Sequence, residues 1–277
     1  MAFNIIKSGA IAAALFSFTA THNVYATVDS GEEHASKLSY KPSQNAMADV
    51  EATLAKAKAN GKLAMVIMGA NWCHDSMAFL RRLESPEMQE LVANRYEYAI
   101  VDVGYLENGS EIIQRFGKPV IYGTPTVLII NPENNKLLNN QNTHRWRDAD
   151  SISVSDTVSY FAKLPVTGEA AEVSNPKLKA LLAEINTFEK EQSLRVYRGF
   201  NLIGPMMELG KSERPKGFYN YWGQLRDFRY QITKDLDALK TEAAERVAAG
   251  EENITLSYPT YEPFDWEKEG FSISASE

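Results

Sequence analysis

The sequence predicts an α/β unit followed by a mainly α-helical extension, and three observations carry that expectation. Short apolar runs alternate with stretches of helical spacing through residues 45–166. The single cysteine, Cys73, stands where one such run, ending at Gly69 and Ala70, passes into a helix-like stretch. Beyond residue 166 the pattern changes to longer segments whose apolar residues recur on one helical face.

The elements follow in order. Residues 47–60 form an Ala-rich helix, and 62–70 (KLAMVIMGA), short, apolar and bounded by Gly61 and Gly69, form a buried strand. Residues 77–83 and 87–93 read as helix, broken at Pro86. A second strand covers 96–103 and a short helix 110–116. Tyr122-Gly123-Thr124-Pro125-Thr126 then runs into an apolar strand at 127–130. Asn131-Pro132-Glu133-Asn134-Asn135 is a turn by composition, so 127–130 and 136–138 form a hairpin. An amphipathic helix at 155–164 closes the unit, giving the order α-β-α-β-α-β-β-α.

Chemistry concentrates in Asn71-Trp72-Cys73-His74-Asp75-Ser76. Backbone N–H groups at a helix start carry partial positive charge and favour the thiolate, the nucleophilic form of cysteine. The segment resembles the active site of the thioredoxin family with its second cysteine changed to Ser76, and Thr124-Pro125 before a strand strengthens the likeness. The resemblance implies a thioredoxin-like fold over residues 45–166, a central mixed sheet flanked by helices. It also implies a cis Thr124–Pro125 bond packed beside Cys73, thiol–disulfide exchange at Cys73, and substrate contacts from Trp72, Thr124 and Pro125.

Two departures bear on mechanism. A dithiol site attacks a disulfide with one thiolate and releases the product with the second, and Ser76 cannot perform the second step. Ile67 stands six residues before Cys73, where thioredoxins often carry a buried carboxylate that assists the resolving thiol. A mixed disulfide on Cys73 is then resolved by the substrate's own thiol, as in an isomerase, or by an external thiol, as in monothiol glutaredoxins. The expected catalytic group is Cys73 with Ser76 and His74.

Each of these residues also has a plainer role. His74 either tunes the thiol or is simply exposed, and Ser76 donates to the Cys73 sulfur or caps the helix. Asp75, expected to be exposed, opposes the thiolate. Cys73 as a buried structural thiol is the rival to a reactive one. Adjacent Cys73, His74 and Asp75 do not converge on one ion, and nothing in the sequence brings His144 to them, so neither metal nor cofactor is expected. Partners are then protein thiols or disulfides, or a small thiol. The competing function is a non-catalytic module that holds a protein partner.

The 277 residues are 44% hydrophobic and 23% charged, as in a folded globular protein. The formal charge of −7, with no basic stripe and no phosphate-cradling glycine motif, argues against nucleic acid and anionic membranes. Lys7, the apolar residues 9–18 and Val24-Tyr25-Ala26 read as a signal peptide of bacterial style over residues 1–26, with an uncleaved anchor as the alternative. Cleavage leaves Thr27 first and no membrane insertion. Export to the periplasm is the expected destination, with secretion further out the alternative. One cysteine leaves no internal disulfide to form there.

Residues 27–44 read as a mobile leader and 166–174 as a linker. Asn175-Pro176 is a helix start, followed by Leu178, Leu181, Leu182, Ile185 and Phe188 on one face. The apolar stretch 196–209 is interrupted by Gly199, Gly204 and Pro205. A long helix at 219–249 carries Trp222, Leu225, Phe228, Ile232, Leu236 and Leu239 on one side. The helical extension spans 167–252, and its apolar and aromatic stripes are expected to pack as core on one another and on the first unit, with a dimer surface or a substrate-binding wall over Cys73 as the functional alternatives. The aromatic and acidic tail, 253–277, either lies along the surface or is disordered.

Overall fold

The structure, a computed structural model, describes residues 36–165 and 173–271. Residues 1–26, expected as a signal peptide, residues 27–35 of the expected leader, residues 166–172 of the expected linker and the final six residues lie outside the described residues.

Helix α1 (Ala46–Ala59) is capped by Asn45, whose side chain accepts from the Ala48 N–H. Strand β1 (Leu63–Gly69) is buried along its whole length. It is followed by α2 (His74–Leu83) and α3 (Pro86–Arg95), separated at Ser85, which caps α3 while Pro86 takes its first turn. Strand β2 (Tyr96–Asp102), helix α4 (Ser110–Arg115), and strands β3 (Thr126–Asn131) and β4 (Lys136–Leu137) follow. Helix α5 (Val154–Lys163) begins at the cap Ser153.

The sheet order is β2-β1-β3-β4, with β1 parallel to β2 and antiparallel to β3, and β4 antiparallel to β3. This is the mixed sheet that the resemblance implies. Alternate residues of β1 serve different cores, which is why no position along it is polar. Leu63, Met65 and Ile67 join Phe79, Leu80, Trp146 and Phe161 on one side. Ala64, Val66 and Met68 join the other core, which continues without a break into the extension.

One segment had no assignment from periodicity. Arg145–Ser151 forms 3-10 turns that bury Trp146 completely, stacked on Phe161 at 4.9 Å between ring centroids. Arg82 ties the segment to α2 through the carbonyls of Asp150 and Ile152.

The extension consists of α6 (Pro176–Glu208) and α7 (Phe218–Ala248). The expected interruption at Gly199, Gly204 and Pro205 does not occur, because α6 runs through all three. Packing explains the glycines: a Cβ at Gly199 would lie 2.7 Å from Leu225 of α7, and one at Gly204 would lie 3.1 Å from the Tyr105 carbonyl. Pro205 sits in the last turn, where few backbone bonds depend on it. The tail residues 253–271 run along the helices, with Leu256 and Phe264 buried and Trp266 stacked on Phe264. Residues 36–44, expected as part of a mobile leader, are also docked, since Tyr40 is buried.

Candidate functional site

Cys73 is the N-cap residue of α2, in extended backbone conformation, and it caps with no side-chain hydrogen bond. The free N–H groups of the first turn therefore face the sulfur's end of the helix. The thiol is half-buried, and its Sγ lies 3.2 Å from the Thr124 carbonyl oxygen, to which it donates. The Thr124–Pro125 bond is cis. Sequence and structure agree on bringing Cys73, Thr124 and Pro125 together.

Trp72 is fixed on the other side. Its indole N–H donates to the Gly104 carbonyl at 2.7 Å, its ring stacks on Tyr105, and its edge meets Trp222 of α7 with centroids 6.4 Å apart. The extension is thus part of the wall around Cys73, the second of the two roles the sequence left open.

Ser76 differs from both roles expected of it. It is fully buried, its hydroxyl accepts from the Ala70 N–H, and its carbonyl accepts from the Tyr40 hydroxyl. No hydrogen bond joins it to Cys73, and the cap position belongs to Cys73. Tyr40 and Asn71 exchange backbone and side-chain bonds of 3.0 and 2.7 Å, so the leader clamps the loop before the cysteine. Burial pushes the Tyr40 phenol well above its usual range, which keeps it neutral.

His74 is exposed, 3.8 Å from Asp150. Asp75 is half-buried rather than exposed, because its carboxylate accepts from the Asp150 backbone N–H at 3.0 Å. That bond directs Asp75 toward the 3-10 segment. Ile67 is sealed in the α2-side core, where no proton relay to residue 76 exists.

The strip expected to receive an extended substrate is roofed. Thr124 and Pro125 are both buried. Arg147 lies over Gly123, where a Cβ would come within 2.9 Å of the arginine side chain. It reaches α7 through the Thr233 hydroxyl at 3.1 Å and the Tyr230 ring at 3.7 Å.

Sequence inspection missed Arg229. It is 6% exposed, with its guanidinium carbon 5.0 Å from the Trp222 ring centroid and 5.4 Å from that of Phe200. Its Nε donates to the Leu225 carbonyl, and no carboxylate pairs with it among the described residues. Burial lowers its pKa to about 10, with Tyr230 and the Cys73 charge acting in the opposite direction, so it remains a cation at neutral pH. The two ring faces return about 0.5–2 kcal/mol of the cost of drawing this cation partly out of water. The signal was present in the sequence: 222, 225, 229, 232 and 236 share one helical face, and Arg229 is the charge among apolar residues.

His144 does not join the site in any bond. Burial, then the cations Arg147, Lys118 and Lys240, hold it down to about 4. An unfolded chain takes up that proton near the ordinary value of about 6.5. Stability from neutral His144 is therefore fully present above that value and is lost as pH falls toward 4. Relative to His144→Gln, the wild type should lose roughly 2 kcal/mol more across this window, read from urea midpoints. Equal losses in the two proteins would contradict this account.

Among the described residues no three His, Cys, Asp or Glu side chains gather as a metal site, and no helix is long and apolar enough to cross a membrane. A cavity of about 630 Å³, lined by Leu38, Leu83, Val92 and Tyr96, lies at the β2 edge of the sheet and includes none of the residues around Cys73.

The strand order, the cis Thr124–Pro125 bond and a cysteine at the start of α2 define the class: the elements from α1 to α5 hold a thioredoxin-like fold. Residues 45–132 match a protein-family model described as thioredoxin-like. A crystal structure of a disulphide isomerase from Xylella fastidiosa Temecula1 is 28% identical, covering 45% of this chain and 94% of its own, with a TM-score of 0.41. No curated protein matches the chain.

Proposed function

We propose that the protein is a thiol–disulfide oxidoreductase of monothiol type, working outside the cytoplasm, with Cys73 as its nucleophile. The observation that carries this reading is the half-buried Cys73 at the start of α2, with Sγ 3.2 Å from the Thr124 carbonyl. The Cys73 thiolate attacks one sulfur of a disulfide in line with the S–S bond. A new S–S bond forms to Cys73, the old one breaks, and the other half leaves as a thiolate that takes a proton from solvent. With one cysteine in the chain, an external thiol or a second thiol of the substrate must then release the product. The placement of Arg147, tied to α7, over Gly123 favours a small disulfide, or a strained loop end, over a long extended segment. Export is supported by Lys7, residues 9–18 and Val24-Tyr25-Ala26.

Native protein incubated with 2-hydroxyethyl disulfide should gain one adduct by mass, stable until dithiothreitol is added. Cys73→Ser should gain none while keeping its circular dichroism spectrum. A thiol that reacts only after unfolding would sink the proposal and favour the binding module, for which the buried Thr124 and Pro125 already leave room.

A further inference from the structure

We infer that the helical extension equips Cys73 with an anion subsite, in which Arg229 receives a carboxylate of a small disulfide or thiol substrate. The inference rests on the proposed exchange chemistry and adds the substrate's charge class.

Four observations meet at this place. Arg229 is more than nine-tenths buried on α7, and its terminal nitrogens make no hydrogen bond among the described residues. It lies against Trp222, whose ring meets Trp72, the residue before Cys73. The carboxylates nearby are already engaged: Asp75 accepts from the Asp150 N–H, Asp148 from the Tyr230 hydroxyl, and Asp150 faces Arg81 and His74. Arg147, 3.5 Å from the Arg229 carbonyl, roofs the strip beside Thr124 and is itself paired with Asp148 at 3.7 Å, which leaves Arg229 as the unpaired cation here among the described residues. The guanidinium is walled by rings while no nitrogen of it is sealed away without a partner, so its terminal nitrogens are open to an anion, and its planar fork suits a carboxylate. The overall charge of −7 would by itself repel such a substrate, so the attraction has to be local.

The chemistry is the same thiol–disulfide exchange at Cys73. The Cys73 thiolate displaces one half of an anionic disulfide, which leaves as a thiolate and is protonated by solvent. The half retained on Cys73 keeps its carboxylate on Arg229.

The test compares adduct formation with dithiodiglycolate (anionic), 2-hydroxyethyl disulfide (neutral) and cystamine (cationic). Each rate is normalised to that of a small unhindered thiol at the same pH. Wild type should prefer the anionic reagent over the neutral one by roughly tenfold and disfavour the cationic one. Arg229→Met, which keeps apolar contact with Trp222 and Phe200, should bring the ratio of anionic to neutral rates down to about one, and Arg229→Lys should restore part of the preference. Equal normalised rates for the three reagents on wild type would overturn the subsite, whatever the variants do. A preference that survives in folded Arg229→Met would do the same. Failure of all three reagents to modify folded wild type would instead overturn the proposed reactivity of Cys73.

Discussion

Ser76→Cys should convert a site that holds its adducts into one that releases them. The substitution places a thiol three residues after Cys73 on the first turn of α2, at the position now held by a buried hydroxyl. Intramolecular attack on the mixed disulfide then replaces a bimolecular step, and the adduct lifetime should shorten by roughly a hundredfold or more. Insulin reduction in the presence of dithiothreitol should rise with it. Two features limit the gain. The residue 76 side chain points toward Ala70 and is packed beneath Tyr40, so it must turn to reach Sγ of Cys73. Ile67 supplies no carboxylate to take the proton from the resolving thiol. Mass spectrometry of the adduct over time is the direct measurement. An unchanged lifetime would mean that Tyr40 and Ala70 hold position 76 away from the chemistry.

Ending the chain after Pro165 should leave a protein that aggregates or unfolds near room temperature. The core on the Ala64, Val66 and Met68 side of the sheet continues into Ile185, Phe200, Ile203, Leu225 and Ile232 of α6 and α7. Polar ties cross the same boundary, with Tyr197 donating to the Pro119 carbonyl and Tyr122 to the Glu189 carboxylate. Each large apolar side chain exposed costs about 1.5–3 kcal/mol. A few such losses match a total domain stability of about 5–15 kcal/mol. Light scattering and thermal melting of the truncated protein decide the matter. A soluble monomer with the full-length melting temperature would show two independent domains.

Much of the first half was legible because its signals are local. The run 63–70 has no polar residue, Pro86 breaks one helical stretch from the next, and Asn131 to Asn135 carry turn chemistry, so strands, helices and hairpin fell within a few residues of their observed bounds. The Cys73 and Thr124-Pro125 pair was legible for a different reason, a likeness in residue type at two distant places. Segment 145–151 was not, since its 3-10 turns have no apolar period and exist because Trp146 needs the pocket formed by Phe79 and Phe161. The helix break expected at Gly199 to Pro205 failed because local propensity was outweighed by close packing on Leu225 and Tyr105.

The sequence by itself determined the element order, the proposed nucleophile and the absence of a second thiol, since each depends on residue identity and short-range spacing. Only the tertiary structure decided what surrounds that nucleophile. Tyr40 seals Ser76 from 36 residues upstream, α7 brings Trp222 to Trp72, and Arg229 sits in an apolar stripe against Trp222. Those contacts join residues far apart in the chain and form only when burial of a shared core repays the entropy of bringing them together.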